Sequence, residues 1–185
     1  IPKIQEYQYK LLKYYTEHYR IQKYEPCSGY VQFMFIDLCP QSFYGLYDWW
    51  GIPKKGLQAM LESNAPVGVF AKHKDYLDSL YIVNDTDEAL GECELTWMIT
   101  ETLNGELVEK GTVTAEVPAD SRVMVKVFEK NYGKAQKWNL ILVLSDRNGK
   151  CVAKNTYQDI CTLLSRVEGH PDRMSHEFGM RLYWI

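Results

Sequence analysis

"ECELTWMI" (Glu92–Ile99) places an apolar residue at every second position: Cys93, Leu95, Trp97 and Ile99 alternate with Glu92, Glu94, Thr96 and Met98. A period of two puts the first set on one face of a strand and the second on the other, so this stretch reads as a half-buried β-strand. Leu80–Val83, Val113–Val117, Val123–Val127 and Trp138–Leu144 repeat the pattern on either side of it. Asn104-Gly105 and Asn148-Gly149 are hairpin signals, because Asn and Gly tolerate the positive φ that tight turns require. Several short strands separated by turn signals predict an antiparallel β-sandwich of immunoglobulin type. Trp97 and Trp138 fall in phase with Leu95 and Leu140, which turns both indoles inward.

Upstream the period changes. Ile4, Tyr7, Leu11, Tyr15 and Tyr19 recur at helical spacing within Ile4–Tyr24, and Pro26 with the Cys27-Ser28-Gly29 turn ends that pattern. Tyr30–Leu38 is a short, nearly continuous apolar run, the signature of a strand buried on both faces as in parallel α/β architecture. Pro53 stands where the first residue of a helix belongs, and Lys54–Ser63 follows with Leu57, Met60 and Leu61 on one side. Ala65-Pro66 stops it. Helix, buried strand, aromatic loop and helix form a piece of an α/β layer too short to close on its own. Three segments result: 1–65, a sandwich over 66–165, and a polar extension over 166–185 ending in "GMRLYWI". Asp37 raises the sharpest question, since a carboxylate inside an apolar run is costly unless paired, hydrogen-bonded or used.

The totals set the outer limits. With 185 residues, 46% of them hydrophobic, and a net charge of −3, the chain is globular and faintly acidic. A pI near 5.8 and the lack of a basic stripe exclude a nucleic-acid partner by expectation. No apolar run reaches the roughly 18 residues of a membrane span. Aromatic residues make up 14%, with 14 tyrosines, a surplus that serves sugar contacts, interfaces or core packing equally well. Five cysteines (Cys27, Cys39, Cys93, Cys151, Cys161) show no CxxC pair and no His at zinc-ligand spacing, so they read as buried free thiols and no metal is expected. The chain opens at Ile1 with neither Met nor a signal peptide, which reads as an internal start and leaves localisation open.

A self-contained active site is not legible. His18, His73, His170 and His176 have no evident partners, and no GxSxG elbow, P-loop or GxGxxG is present. "SHEFG" (Ser175–Gly179) places Glu177 in a nucleophile-like setting, but "GHPDRM" before it is no strand, and a surface glutamate is the reading.

The stretch "GYVQFMFIDLCPQSFYGLYDWWGIPKKGLQAMLESNAPVGVF" (Gly29–Phe70) resembles the end of the catalytic barrel in glycoside hydrolase family 2, especially its β-mannosidase and exo-β-glucosaminidase branch. Asp37 and Pro40 fall on the Asp and Pro of that family's eighth barrel strand. Asp48-Trp49-Trp50-Gly51 falls on its D-aromatic-aromatic-G, Pro53-Lys54 on its PK, and Ala65-Pro66-Val67 on its exit into a sandwich. "LYIVNDTDEALGECELTWMI" (Leu80–Ile99) is similar to the first strands of the following domain, and "NGKCVAKNTY" (Asn148–Tyr157) to its last. The chain departs from the pattern at Phe33, Ile36 and Cys39, where the family carries Trp, Asn and Trp.

The resemblance implies an immunoglobulin-like sandwich preceded by a helix-strand-helix remnant of a (β/α)8 barrel. It implies a parent enzyme that hydrolyses β-glycosides by double displacement through two glutamates about 5–5.5 Å apart, without metal or cofactor. Both glutamates are expected upstream of strand eight, so this piece carries no catalytic residue and is expected to be inactive alone. Its expected partners are the carbohydrate substrate, through the parent enzyme, and the remainder of the same polypeptide. The barrel strands' C-terminal ends face the active site, so Asp37 either binds a sugar hydroxyl or acts as a structural acid. Phe33 is either part of a sugar-binding floor or core packing. Trp49 and Trp50 are expected to cement barrel to sandwich, with substrate contact as the other reading. The competing class is a non-catalytic sandwich module that binds glycan or protein. In either case the isolated piece is expected to expose apolar surface and to self-associate.

Overall fold

The structure, a computed structural model, describes residues 2–42, 44–73, 77–129 and 138–158. The extension 166–185, Glu177, His170, His176 and Cys161 lie outside the described residues. The chain divides into two compact units between Ala65 and Pro66.

The second unit is mainly β, an immunoglobulin-like sandwich of two antiparallel sheets. Its described strands are β1 (Val67–His73), β2 (Leu77–Asn84), β3 (Gly91–Glu101), β4 (Leu107–Val117), β5 (Ser121–Val127), β6 (Trp138–Asp146) and β7 (Cys151–Tyr157). One sheet has the order β1-β2-β5 and the other β4-β3-β6-β7, so the chain changes sheets after β2, β4 and β5. In β3 the period-two reading holds along its length: Cys93, Leu95, Trp97 and Ile99 are buried while Glu92 and Glu94 face solvent. Leu95 lies opposite Leu144 and Trp97 opposite Leu142 in β6, which stacks the inward residues in register. They meet Val69, Leu80 and Ile82 of the other sheet in one core, and both Trp97 and Trp138 belong to it. Each such buried aliphatic side chain contributes about 1.5–3 kcal/mol relative to exposure. The Asn104-Gly105 and Asn148-Gly149 turns join β3 to β4 and β6 to β7.

β1 was not separable by alternation, because Gly68, Val69, Phe70 and Ala71 are all buried in succession. Side chains from β7 complete its bonding. The Tyr157 hydroxyl accepts the Ala71 N–H at 2.9 Å, and Asn155 Nδ2 donates to the Val69 carbonyl at 2.9 Å. Two polar residues thereby link the edge strands of the two sheets, satisfying backbone groups that no ladder serves.

The first unit contains α1 (Pro2–Arg20) and α2 (Lys55–Ser63), packed on each other. Three expectations are corrected here. The buried positions of α1 are Gln8, Lys13, Thr16, Glu17 and Arg20, whereas Ile4 and Tyr19 of the expected apolar stripe are exposed. That polar face is bonded: Lys13 pairs with Glu17 at 2.9 Å, and Arg20 Nη1 donates to the Ser63 carbonyl at 2.6 Å. In α2 the buried residues are Gly56, Ala59 and Ser63, and Leu61 is exposed; small residues give α1 a close approach. Pro53 precedes the N-cap residue Lys54 instead of starting the helix.

The third correction concerns Tyr30–Leu38. No strand forms there; an isolated parallel bridge between Ile36 and Tyr47 is the extent of its pairing as β-structure. Met34 sits at φ 67°, in the left-handed region, which interrupts an extended course. Val31 is 94% exposed and Phe33 79%. A strand buried on both faces needs ladder partners and a cover on each side, and none stands beside this segment among the described residues. Helix-loop-helix therefore replaces the expected helix-strand-helix.

Candidate functional site

Asp37 is 2% exposed, and three donors converge on its carboxylate. Oδ1 accepts the Gly45 N–H at 2.6 Å and Gln41 Nε2 at 3.1 Å, while Oδ2 pairs with the Lys54 ammonium. Burial by itself pushes the carboxyl's pKa up, but the Lys54 ammonium and the two N–H donors outweigh it and hold the group below its ordinary value. Lys54 is also buried, so this ion pair is closed off from water on both sides. An ionised carboxylate offers about four acceptor sites, and three are filled. The arrangement makes Asp37 a bonding hub for its own loop.

Backbone bonds surround the hub. Asp37 N–H donates to the Tyr47 carbonyl at 3.0 Å, and Leu46 and Tyr47 N–H both donate to the Phe35 carbonyl at 3.0 Å. Lys54 N–H donates to the Leu46 carbonyl at 2.8 Å, and Gln8 Nε2 reaches from α1 to the Gly45 carbonyl at 2.9 Å. Gly45 has no room for a side chain: a Cβ there would lie 2.5 Å from Asp37 Oδ1 and 2.7 Å from its nitrogen. The glycine is what lets the backbone close on the carboxylate.

Asp48-Trp49-Trp50-Gly51 forms a tight turn beyond the hub. Asp48 Oδ1 accepts the N–H groups of Trp50 and Ile52 at 2.9 and 2.8 Å, an Asx-type arrangement. Gly51 adopts φ 77°, which a side chain would resist, and its N–H donates to the Asp48 carbonyl at 3.0 Å. Trp49 and Trp50 stand at the tip, 50% and 69% exposed. Phe33 is exposed as well, with Phe35, whose ring lies 5.1 Å from that of Tyr47. The sequence singles out Asp37, Trp49 and Trp50, and does not point to Lys54, Gly45, Gln41 or Asp48 as the groups bonded around them. The signal for Lys54 was its place directly before α2, after Pro53.

Among the described residues no group of three His, Cys, Asp or Glu side chains is placed to hold a metal ion. Nor is any described helix long and apolar enough to cross a membrane. Of the four described cysteines all are free, and Cys93 alone is buried; Cys39 and Cys151 are exposed, contrary to the expectation of buried thiols. Burial, together with Asp146 and Glu116, pushes the Cys93 thiol up. Among the described residues of the sandwich the exposed large hydrophobic ones are Leu103, Leu107, Val108, Met124 and Val127, with no aromatic among them.

Residues 79–158 match the family model of the Mannosidase Ig/CBM-like domain. No curated protein sequence matches the chain. Among solved structures, the exo-chitosanase CsxA of Amycolatopsis orientalis in complex with PNP-β-D-glucosamine aligns with a TM-score of 0.72 over 83% of this chain, at 21% identity. The β-D-mannosidase of Dictyoglomus thermophilum aligns with a TM-score of 0.68 over 84%, at 22% identity. The chain spans 18% and 19% of the length of those two enzymes. The resemblance to the C-terminal, immunoglobulin-like part of family 2 glycoside hydrolases is thus supported by the family match and by these structural relatives.

Proposed function

We propose that the chain is the C-terminal part of a retaining exo-β-glycosidase, β-mannosidase-like, whose catalytic glutamates lie in a preceding barrel. In this reading residues 1–65 close that barrel and the sandwich is its accessory domain. The observation that carries it is the exposed apolar run Val31–Leu38, which has one bridge where a ladder belongs. Such a segment is stable when a neighbouring strand and a covering layer take up its free backbone groups and side chains. The order of the motif residues supports the same reading, because Asp37 and Lys54, 17 positions apart, bond to each other. Structural likeness to an exo-chitosanase and a β-mannosidase over more than four-fifths of the chain adds to it.

In the parent enzyme Asp37 braces the site from beneath, and Phe33 lines the sugar-facing side. Trp49 and Trp50 bury their rings in packing between domains. The sandwich on its own is a poor glycan binder, because Trp97 and Trp138 are core residues and its exposed face offers no described aromatic platform. That weighs against the non-catalytic module as the alternative.

The test uses the full-length polypeptide with p-nitrophenyl β-mannoside, β-galactoside and β-glucosaminide, with the product anomer followed by NMR. Turnover of at least one substrate with retention of configuration is expected, and no turnover from the 185-residue chain. Turnover of none, or inversion, overturns the reading. Binding to glycans by the isolated chain would favour the module instead. The isolated chain is expected to self-associate in sedimentation velocity as concentration rises.

A further inference from the structure

We propose that the Asp37–Lys54 pair is a staple that positions the Trp49–Trp50 tip, so that these two residues act as positioning residues for the proposed glycosidase. The inference rests on the reading above and goes beyond it in naming what holds the tip. Asp37 and Lys54 stand at the two ends of the same loop, and their side chains meet in a buried contact. A buried ion pair adds little net stability compared with an apolar pair of similar volume, because both charges lose their water. What it does supply is direction, since an ammonium and two N–H donors satisfy one carboxylate in one geometry.

Each donor comes from a different point of the loop: Gln41 from its first turn, Gly45 from its middle and Lys54 from its end. The Lys54 N–H to Leu46 carbonyl bond and the Tyr47–Pro53 bridge lie between this hub and the tip. The hub is also fixed to α1 through Gln8 on the Gly45 carbonyl. Beyond Tyr47 the bonding becomes local, confined to Asp48–Ile52, and the tryptophans are half-exposed or more. The tip is therefore a small preformed turn standing on a charged base, and the base sets its place.

The experiment compares the unmodified full-length polypeptide with Lys54→Met and Asp37→Asn by amide hydrogen exchange and by steady-state hydrolysis of the three p-nitrophenyl glycosides. With Lys54→Met, exchange at Gly45, Leu46 and Tyr47 is expected to rise tenfold or more, while α1 amides stay within twofold. The loss in kcat/KM is expected to reach tenfold and to fall on KM. Asp37→Asn keeps an acceptor for Gly45 but leaves the buried Lys54 ammonium without its counter-charge, so effects of similar size are expected in both readouts. Unchanged loop exchange in a folded variant overturns the staple, as does a loss confined to kcat.

Should both variants fail to fold, exchange in the unmodified polypeptide decides. Asp37, Gly45, Leu46, Tyr47 and Lys54 amides are expected to open as one unit, at least tenfold more slowly than Trp50 and Ile52. Exchange at equal rates overturns the proposal. If the unmodified polypeptide hydrolyses none of the substrates, the glycosidase reading falls, and the exchange data still judge the staple by itself.

Discussion

The sandwich and the N-terminal unit reach order by opposite routes. In the sandwich, aliphatic and aromatic residues from two sheets interlock, and Asn155 and Tyr157 add side-chain bonds at the edge. In the N-terminal unit the described interior is largely polar: Gln8, Lys13, Thr16, Glu17, Arg20, Asp37 and Lys54 are buried beside Ile21, Leu46 and Ala59, while Val31, Phe33, Leu38 and Trp50 are exposed. A unit built inside out in this way is held by directional bonds and leaves its apolar surface for something else to cover. The contrast separates a unit held by an apolar core from one held by directional bonds.

The largest expected break in that contrast comes from Lys54→Met, which leaves the Asp37 charge buried and unpaired. It is expected to cost about 3–5 kcal/mol, felt in the 37–54 loop and not in α1 or the sandwich. The double substitution Asp37→Leu with Lys54→Met is expected to return most of that, because a buried pair and an apolar replacement are nearly equal in net stability. Denaturation followed by exchange in each unit separates the two effects, and equal loss in both units would contradict them.

Leu95→Ala is the corresponding break in the sandwich. Leu95 is fully buried between the sheets, so the loss is expected at about 2–5 kcal/mol, with the near-ultraviolet signal of Trp97 and Trp138 melting earlier. Amides of α1 should not respond. A smaller loss, about 1–2 kcal/mol, is expected from Tyr157→Phe, which strips the Ala71 N–H of its acceptor. Urea midpoints at constant m-value measure it.

Acid sharpens the comparison further. The folded-state pKa of Asp37 lies below its ordinary 3.8, so its contribution is full above that pH and is lost as pH falls through the lower folded value. Asp146, bonded to the Lys150 and Asn148 N–H groups at the β6–β7 turn, is shifted the same way. The Asp37 carboxylate is buried against a charge, whereas Asp146 caps a turn. The N-terminal unit should therefore loosen first when exchange is followed down to about pH 2. Simultaneous loosening would contradict the assignment of the ion pair as its hub.

The two regions were also unequally legible in sequence. Leu80–Val83, Val113–Val117, Val123–Val127 and Trp138–Leu144 all fall inside observed strands, because a solvated sheet writes its two faces into alternate residues. β1 escaped that signal, its residues 68–71 being buried together. In the N-terminal unit periodicity misled: the stripe Ile4, Tyr7, Leu11, Tyr15 and Tyr19 is real, but the helix turns its bonded polar face to α2. Asp37 was legible as an anomaly and its partner was not, since the contact that neutralises a buried acid is set by tertiary structure. Lys54 lies 17 residues away, in no periodic relation to it.

The most direct test of the central claim is the intact mass of the polypeptide as its source makes it. The account predicts a single product several times the 21.6 kDa of this chain, with a glycosidase barrel preceding residue 1. A native product of about this mass would contradict the claim and leave the sandwich to be explained as a module in its own right.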